Sequence, residues 1–330
     1  MQGSERYLVT GAMGCLGAWT IRLLLDEKLP IVAFDLSTNT SRVRLLCSDA
    51  ELEAVTYVTG DISESDLVTR IVAEHGITRI VHCAALQVPF VRANPPLGSK
   101  VNVLGTVNVF EAVRVHRHQV RGFAYASSAA VFGPPSAYPD GVVTDDSRQF
   151  PTSSLYGVFK STNEFTSQVY FAEHGIVAVG LRPFVVYGAG RDQGMTSGPT
   201  VAVLAAATSA DYRVAFRGPM YFNFARDTAA AFIAAARLEA AKPTVYNVPG
   251  TTGTVEEVIA NIERIFPEAL GRITHSDVEL QSPSVVDTTR ARKDLQLSEP
   301  TPLADGIEMT ADTFRAGLNR GLLRAPVPAA

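Results

Sequence analysis

Apolar and polar positions alternate along much of the chain in a way that predicts strands separated by helices. Short, continuous apolar runs rich in β-branched residues are typical of strands that are buried on both faces. The predicted strands are residues 7–10, 31–34, 55–58, 79–83, 122–126, 177–181 and 245–248. The predicted helices are residues 14–25, 67–74, 102–115, 155–173 and 227–240. This order predicts an α/β fold with a doubly wound parallel sheet.

The character of the chain changes after Gly188, where Gly, Pro, Thr and Ser become frequent and the predicted elements become shorter. A chain of 330 residues also exceeds what one simple core usually holds, so we expect two lobes. Residues 1–188, joined by residues 227–249, are predicted to form the larger domain. Residues 189–226 and 250–330 are predicted to form a smaller, interleaved C-terminal lobe that binds the substrate.

Composition and charge exclude several classes of protein. Hydrophobic residues make up 46% and charged residues 19%, as in an ordinary globular protein. The formal charge is −4 and the basic residues are scattered, so no nucleic-acid partner is expected. No apolar run approaches the roughly 18 residues of a membrane span, so no membrane association is expected. The three cysteines lack metal-ligand spacing and form no disulfide framework, which predicts no metal site and a reducing, cytoplasmic location.

A glycine-rich turn follows the first predicted strand and opens the first predicted helix. Gly11 permits a tight turn, Gly14 lets the backbone approach a pyrophosphate, and Gly17 lets the helix pack on the strand. Asp35 ends the second strand, where a carboxylate can accept hydrogen bonds from both adenosine ribose hydroxyls and thereby selects NAD over NADP. The alternatives are a mere tight turn and a capping aspartate. The pattern predicts a Rossmann domain that binds NAD.

Residues after the third and fourth strands are also expected at the cofactor. Asp61 and Ile62 follow the third strand, where Asp61 either holds the adenine edge or caps the next helix. His82 ends the fourth strand and is expected to be structural. The small residues after it leave space for the cofactor.

Tyr156 and Lys160 provide the sharpest chemical signal. They are four residues apart at the start of a predicted helix and therefore share one face. A tyrosine with an ordinary pKa near 10 is a poor base at neutral pH, so a cation such as Lys160 is needed to stabilise the phenolate. Tyr156 would take the proton of an alcohol while a hydride leaves the same carbon. Ser128, directly after the fifth strand, would orient the hydroxyl, and Ser127 is expected to serve the turn.

Together these motifs resemble the extended short-chain dehydrogenase/reductases, the NAD-dependent epimerase/dehydratase family. The resemblance covers about residues 5–250 and includes Gly11, Gly14, Gly17, Asp35, Asp61, residues 82–85, Asn102, Ser128, Tyr156, Lys160 and residues 182–188. It implies that Lys160 also binds the nicotinamide ribose and that Asn102 and Phe184 lie near the cofactor. It further implies homodimers formed through the two long helices near residues 100–117 and 153–174. The predicted NAD contacts are Gly11, Met13, Gly14, Cys15, Leu16, Gly17, Asp35, Asp61, Ile62, Cys83, Ala84, Ala85, Asn102, Tyr156, Lys160 and Phe184.

The chain departs from the family pattern in two places. Ala129 and Ala130 stand where sugar-nucleotide dehydratases and decarboxylases carry an acidic residue, so dehydration and decarboxylation are not expected. Sugar-nucleotide members also clamp a diphosphate, a task for which Arg is best suited. This chain has Val185, Met220 and residues 278–283 at the positions of that clamp, and none of them is basic. The candidates to compensate are Arg191, Arg213 and Arg217.

We therefore predict an NAD-dependent oxidoreductase that acts on a secondary alcohol of a small sugar, sugar acid, hydroxy acid or amino acid through Ser128, Tyr156 and Lys160. One alternative is a nucleotide-sugar (UDP-sugar) epimerase that works through a transient ketone. A second alternative is a non-catalytic regulator that binds NAD. The predicted substrate contacts are Gln87, Arg92, Ser128, Val185 and Arg191. If the substrate is an acid, Arg92 or Arg191 is expected to pair with its carboxylate.

Overall fold

The structure is a computed structural model that describes residues 5–150 and 154–326. In chain order the strands are β1 (Tyr7–Thr10), β2 (Ile31–Asp35), β3 (Val55–Thr59), β4 (Arg79–His82), β5 (Gly122–Ala126), β6 (Val142–Val143), β7 (Val179–Arg182), β8 (Val185–Tyr187), β9 (Tyr212–Val214), β10 (Pro219–Phe224), β11 (Thr244–Asn247), β12 (Thr251–Thr254), β13 (Ile273–His275) and β14 (Val285–Val286). The α-helices are α1 (Cys15–Asp26), α2 (Ser41–Leu46), α3 (Asp49–Leu52), α4 (Ser65–Glu74), α5 (Val88–Ala93), α6 (Pro95–Ser99), α7 (Gly105–Val115), α8 (Leu155–His174), α9 (Gly198–Ala207), α10 (Ala225–Arg237), α11 (Val255–Ile265), α12 (Thr289–Asp294) and α13 (Leu303–Asn319). A π-helical turn, Lys100–Leu104, leads directly into α7. The predicted lobes also contain residues 1–4, 151–153 and 327–330, which lie outside the described residues.

Seven parallel strands form the central sheet in the order β11-β7-β5-β4-β1-β2-β3. β1 pairs with both β2 and β4, so the direction of winding reverses beside it. The carboxyl ends of β1 and β4 therefore border the crevice in which such sheets bind ligands. The predicted α/β fold with a doubly wound parallel sheet is confirmed. Strand bounds differ by one or two residues, as for β7, which was predicted at residues 177–181.

Apolar layers cover both faces of this sheet. Val9 belongs to one buried cluster, which includes Ile21 of α1 and Phe232 of α10. Its neighbour Leu8 belongs to the opposite cluster, which includes Phe110 of α7. Successive strand residues point to opposite faces, so burial of both faces requires the continuous apolar runs from which the strands were predicted.

A smaller three-stranded sheet, in the order β12-β10-β8, lies outside the central sheet. In the sequence between β10 and β12, α10 packs on α1 and β5, and β11 pairs with β7 of the central sheet. β8 falls within the predicted first domain but pairs with β10 in the small sheet. Trp19 and Leu45 pack into the apolar cluster of the small sheet, so the two parts share a core. The lobe boundaries stay a prediction. Within residues 5–150 and 154–326, no helix combines the length and the hydropathy needed to cross a membrane.

Candidate functional site

A cavity of about 1010 Å³ opens at the carboxyl edge of the central sheet. Its lining comes from the loops after β1 to β5, the start of α8 and the segments that follow β7 and β8. The predicted site residues that line it are Gly11, Met13, Gly14, Cys15, Leu16, Gly17, Asp35, Asp61, Ile62, Cys83, Ala84, Ala85, Gln87, Arg92, Ser128, Tyr156, Lys160, Phe184, Val185 and Arg191. Residues from distant parts of the chain therefore share one space.

The glycine turn has a geometry that suits a pyrophosphate. Gly11 has a φ of +66°, which favours glycine, and a Cβ there would come within 2.6 Å of the Ala84 backbone nitrogen. A Cβ on Gly17 would overlap the carbonyl oxygen of Gly11, so any larger residue would separate helix from strand. Gly14 is the N-cap of α1 and provides no side-chain acceptor for the first amides of the helix. These amides lie at the positive end of the helix dipole and therefore suit an anion.

Asp35 is fixed at the cavity wall beside this turn. Its two carboxylate oxygens accept hydrogen bonds from the backbone nitrogens of Met13, at 2.9 Å, and Ser37, at 2.8 Å.

Sequence reasoning missed Arg42, which donates to the Met13 carbonyl at 2.9 Å and pairs with Asp192 at 2.7 Å. No motif marked Arg42, because its partner lies 150 residues away.

Asp61 lies at the cavity but does not cap a helix. It accepts a hydrogen bond from the Ser63 backbone nitrogen at 2.9 Å and pairs with Lys100 at 3.2 Å. Helix α4 begins only at Ser65, with Glu64 as its N-cap. The capping alternative is therefore excluded by the position of the helix.

His82 is buried beneath the cavity between two threonines. Its Nδ1 is hydrogen-bonded to Thr10 Oγ1 at 2.6 Å and its Nε2 to Thr106 Oγ1 at 3.1 Å. Burial, aided by the charge of Lys160, lowers the pKa of His82 to about 3. The imidazole is therefore neutral and structural, as expected from the sequence.

Asn102 departs from the prediction that it contacts the cofactor. It is fully buried and does not line the cavity. Its amide accepts a hydrogen bond from the Leu86 backbone nitrogen at 2.7 Å and donates to the Leu86 carbonyl at 2.9 Å. Because both the oxygen and the nitrogen of its amide are hydrogen-bonded to Leu86, Asn102 holds the loop after β4 in place. The residues of that loop, and not Asn102, line the cavity.

The predicted catalytic residues converge at the start of α8. Ser154 caps the helix, which places Tyr156 in its first turn and Lys160 one turn later. Lys160 Nζ donates to the Ala126 carbonyl at 2.6 Å and lies 5.6 Å from the centroid of the Tyr156 ring. The Ser128 side chain also lines the cavity, and its Oγ accepts a hydrogen bond from the Ala130 backbone nitrogen at 3.1 Å. A proton acceptor, a cation and a hydroxyl therefore share one corner of the cavity.

Electrostatics around Tyr156 differ in one respect from the sequence expectation. Burial raises the pKa of Tyr156, and the hydrogen bond from Ser128 and the charge of Arg191 oppose that rise. Burial also lowers the pKa of Lys160 to about 8. The charge of Arg191 is therefore the one that opposes the rise in the pKa of the phenol.

A buried ion pair supports this corner from below. Both oxygens of Glu164 accept hydrogen bonds from Arg182, at 2.8 and 2.6 Å, and the two side chains are 3% and 4% exposed. Ser127 and Gln149 also donate to Glu164, so Ser127 does more than serve a turn. The signal was visible in the sequence: Glu164 lies one helical turn beyond Lys160, and Arg182 ends an apolar strand.

The predicted substrate contacts other than Ser128 also line this cavity. Among the described residues, the Arg191 side chain has one weak hydrogen bond, from Nη2 to Thr196 Oγ1 at 3.4 Å, and its buried Nε has no partner. The buried Gln87 Oε1 likewise has no partner among the described residues. Arg92 is exposed at the rim, and Val185 is buried in the wall.

The positions of the expected diphosphate clamp carry no basic side chain. Residues 280–283 line the cavity without a basic side chain, and Met220 is fully buried in the core. Arg213 and Arg217 do not line the cavity, and Arg217 pairs with Glu279 at 3.3 Å. Of the three arginines considered as replacements, only Arg191 reaches this space.

Sequence comparison identifies the family. Residues 7–249 match the NAD dependent epimerase/dehydratase family. A UDP-glucose 4-epimerase of Mycolicibacterium smegmatis is 30% identical over 325 residues, which cover 94% of this chain and 98% of that protein. An uncharacterized protein of Methanocaldococcus jannaschii is 33% identical over 191 residues, and this match spans 56% of the chain and only 57% of the relative.

Solved structures share the fold at lower identity. A UDP-N-acetylglucosamine 4-epimerase from Methanobrevibacter ruminantium M1 has a TM-score of 0.81 at 19% identity, with 95% of this chain and 99% of that chain covered. A monomeric L-threonine 3-dehydrogenase from a metagenome has a TM-score of 0.79 at 23% identity, with 94% and 99% covered. The chain belongs to the NAD dependent epimerase/dehydratase family of extended short-chain dehydrogenase/reductases, which confirms that it is an NAD-dependent enzyme.

Proposed function

We propose that this enzyme is an oxidoreductase that transfers a hydride between NAD and a secondary alcohol of a small sugar, sugar acid, hydroxy acid or amino acid. The observation that carries the proposal is that the cavity contains the catalytic residues but lacks the basic side chains expected for a diphosphate clamp. Ser128, Tyr156 and Lys160 are assembled beside the cofactor loop, whereas the clamp positions at Val185 and residues 280–283 offer no cation for a substrate diphosphate.

The side chains around the cavity suit NAD. The first amides of α1 would hold the pyrophosphate, Asp35 the adenosine ribose and Lys160 the nicotinamide ribose. When bound, NAD supplies the acceptor for the hydride. The remaining proposed contacts are the cavity-lining residues predicted from the sequence.

The residues of the chain handle the proton. Ser128 and Tyr156 would hold the substrate hydroxyl between them, and ionised Tyr156 would accept its proton. The positive charge of Arg191 favours this ionisation against the opposing effect of burial. Ala129 and Ala130 line the cavity beside Ser128 and provide no acid, so the chemistry ends at the ketone.

Small substrates and nucleotide sugars can be distinguished by whether NADH accumulates. The purified protein is incubated with NAD⁺ and either small polyols, sugar acids, hydroxy acids and amino acids or UDP-glucose, while NADH absorbance is followed. We expect NADH to accumulate with at least one small substrate and not with UDP-glucose. Conversion of UDP-glucose to UDP-galactose without net NADH, with no small substrate oxidised, would overturn the proposal.

A UDP-sugar epimerase is the second candidate. It is favoured by the match to a UDP-glucose 4-epimerase over 94% of the chain. Tight retention of NAD through purification would support it, because an epimerase returns the hydride in every cycle. The intact arrangement of Ser128, Tyr156 and Lys160 argues against the third candidate, a non-catalytic regulator.

We also propose a homodimer formed through α7 and α8. Leu155, Val158, Phe165 and Val169 are exposed and follow one face of α8, and Phe165 is 62% exposed. Such an apolar stripe is typical of an interface. Sedimentation analysis tests this: a dimer is expected for the natural chain and a monomer for Phe165→Glu, whereas a monomeric natural chain would contradict it.

A cytoplasmic location remains a proposal. Cys15, Cys47 and Cys83 are free thiols. Free cysteines fit a reducing compartment.

A further inference from the structure

We infer that Arg191 forms a carboxylate subsite and that the substrate is a hydroxy acid, such as an aldonate or a uronate. The inference rests on the proposed function and narrows its substrate class. It depends on two buried polar groups in the cavity wall that have no partner among the described residues.

Arg191 is a cation without a carboxylate in the described part of the chain. Among the described residues, the only hydrogen bond of its side chain is the long one to Thr196, and its buried Nε has no acceptor. Burial of an N–H group of a guanidinium without an acceptor is unfavourable, and Arg191 lines the cavity in which a ligand can provide one. A carboxylate can accept two parallel hydrogen bonds from a guanidinium.

The other cations that line the cavity are engaged or exposed. Arg42 is bound through Nε and Nη2 to Asp192, and Lys160 donates to a backbone carbonyl. Arg92 is exposed at the rim. Among the described residues, Arg191 is therefore the cavity cation best placed to hold an anion away from bulk water.

Gln87 adds an acceptor next to this cation. A Cβ placed on Gly194 would overlap Gln87 Oε1 and lie 3.0 Å from Arg191 Nη2, so the two side chains pack side by side against Gly194 in the cavity wall. Gln87 Oε1 is buried and unpartnered. A hydroxy acid satisfies both groups, because its carboxylate accepts from Arg191 and its hydroxyl donates to the amide oxygen.

Arg191 and Tyr156 line the same cavity, so a carboxylate on Arg191 and a hydroxyl at Tyr156 would occupy one space. The charge of Arg191 also opposes the rise in the pKa of the Tyr156 phenol. The same charge also acts on the thiol of Cys15 at the start of α1. The cofactor pyrophosphate is therefore the competing partner that an experiment must exclude.

The segment that carries Arg191 is held in place on both sides. Trp19 Nε1 donates to the Ala189 carbonyl at 2.9 Å, and Asp192 pairs with Arg42 at 2.7 Å. Arg42 in turn donates to the carbonyl of Met13 in the cofactor turn. A guanidinium held in this way loses little freedom on binding a ligand.

Binding to the NADH-loaded enzyme tests the subsite without turnover. Calorimetry compares acids with neutral partners: D-gluconate with sorbitol, D-glucuronate with D-glucose, and D-glycerate with glycerol. We expect at least one acid to bind roughly 10- to 100-fold more tightly than its partner. Arg191→Gln should abolish this preference, Arg191→Lys should retain part of it, and the control Arg226→Gln, at an exposed arginine that does not line the cavity, should leave it unchanged.

Four outcomes would overturn the inference: acids that bind no tighter than their neutral partners, a preference that survives Arg191→Gln, a preference lost in the control Arg226→Gln, or NADH binding weakened by Arg191→Gln as much as acid binding. The last result would assign Arg191 to the cofactor pyrophosphate. If acids bind through Arg191 but none reduces NAD⁺, the subsite stands and the proposed oxidoreductase function fails. The comparison of acids with neutral partners in the natural chain requires no variant, so it holds even if Arg191→Gln does not fold.

Discussion

Buried polar groups are treated differently in two regions of the molecule. Beneath the cavity, His82 is hydrogen-bonded through both ring nitrogens, and Glu164 accepts from Arg182 through both oxygens. In the cavity wall, Arg191 Nε and Gln87 Oε1 are buried and have no partner among the described residues. His82 and the pair of Glu164 with Arg182 hold the protein together, whereas we propose that Arg191 and Gln87 meet a ligand.

The largest effect is expected when the proposed proton acceptor, the phenol of Tyr156, is removed from the cavity. Tyr156→Phe should lower kcat by roughly 10²- to 10⁴-fold, because the phenol is the proposed general base. Thermal stability should change little, since the phenol serves the site more than the core. Steady-state kinetics and a melting curve measure the two effects.

Tyr170→Phe is the matched control on the same helix. Its phenol donates to Glu111 at 2.7 Å, outside the cavity. Its kcat should stay near that of the natural enzyme. Equal losses of kcat in the two variants would show that α8 tolerates no such change and would remove Tyr156 from the mechanism.

In the paired region, the expected loss is one of stability. Glu164→Ala leaves Arg182 buried without its partner and should lower the free energy of unfolding by roughly 3–5 kcal/mol. Chemical denaturation measures this. The control Glu111→Ala breaks a more exposed pair with Arg114 and should cost roughly 0–1 kcal/mol. Similar losses in both variants would contradict the proposed structural role of the buried pair.

The last prediction concerns how the stability of the protein depends on pH, and the change in the free energy of unfolding within one pH unit is small. Because the folded state holds the pKa of His82 at about 3, against an ordinary value of about 6.5, the unfolded state takes up the proton first as the pH falls. Between these two pKa values, each unit by which the pH falls should reduce the free energy of unfolding by about 1.4 kcal/mol because of His82. His82→Asn should be less stable at neutral pH but show a shallower pH dependence. Parallel curves for the two proteins would contradict a neutral, buried His82.

Much of the fold and the cofactor end was predictable, because their signals are local. Continuous apolar runs marked the strands of a sheet that is covered on both faces. Gly11 and Gly17 are required by backbone geometry within a few residues, and the turn that they form was evident. The spacing of Tyr156 and Lys160 similarly reports one turn of one helix.

The remaining features depend on contacts between distant segments, which local patterns do not report. The effect of Arg191 on the pKa of Tyr156 arises because the segment after β8 and the start of α8 line the same cavity. The capture of Asn102 by Leu86 could not be inferred from a motif that merely places Asn102 near the cofactor. Arg42 and Asp192 likewise meet only in the folded chain.

The central claim is that this enzyme performs net hydride transfer from a small hydroxy acid with Tyr156 as the base. Mass spectrometry of the cofactor tests it after incubation with NAD⁺ and carbon-deuterated D-gluconate, D-glucuronate and D-glycerate. We expect free, deuterated NADH to accumulate with at least one acid for the natural enzyme and not for Tyr156→Phe. A cofactor that stays undeuterated with every acid, while the same preparation interconverts UDP-glucose and UDP-galactose, would contradict the claim.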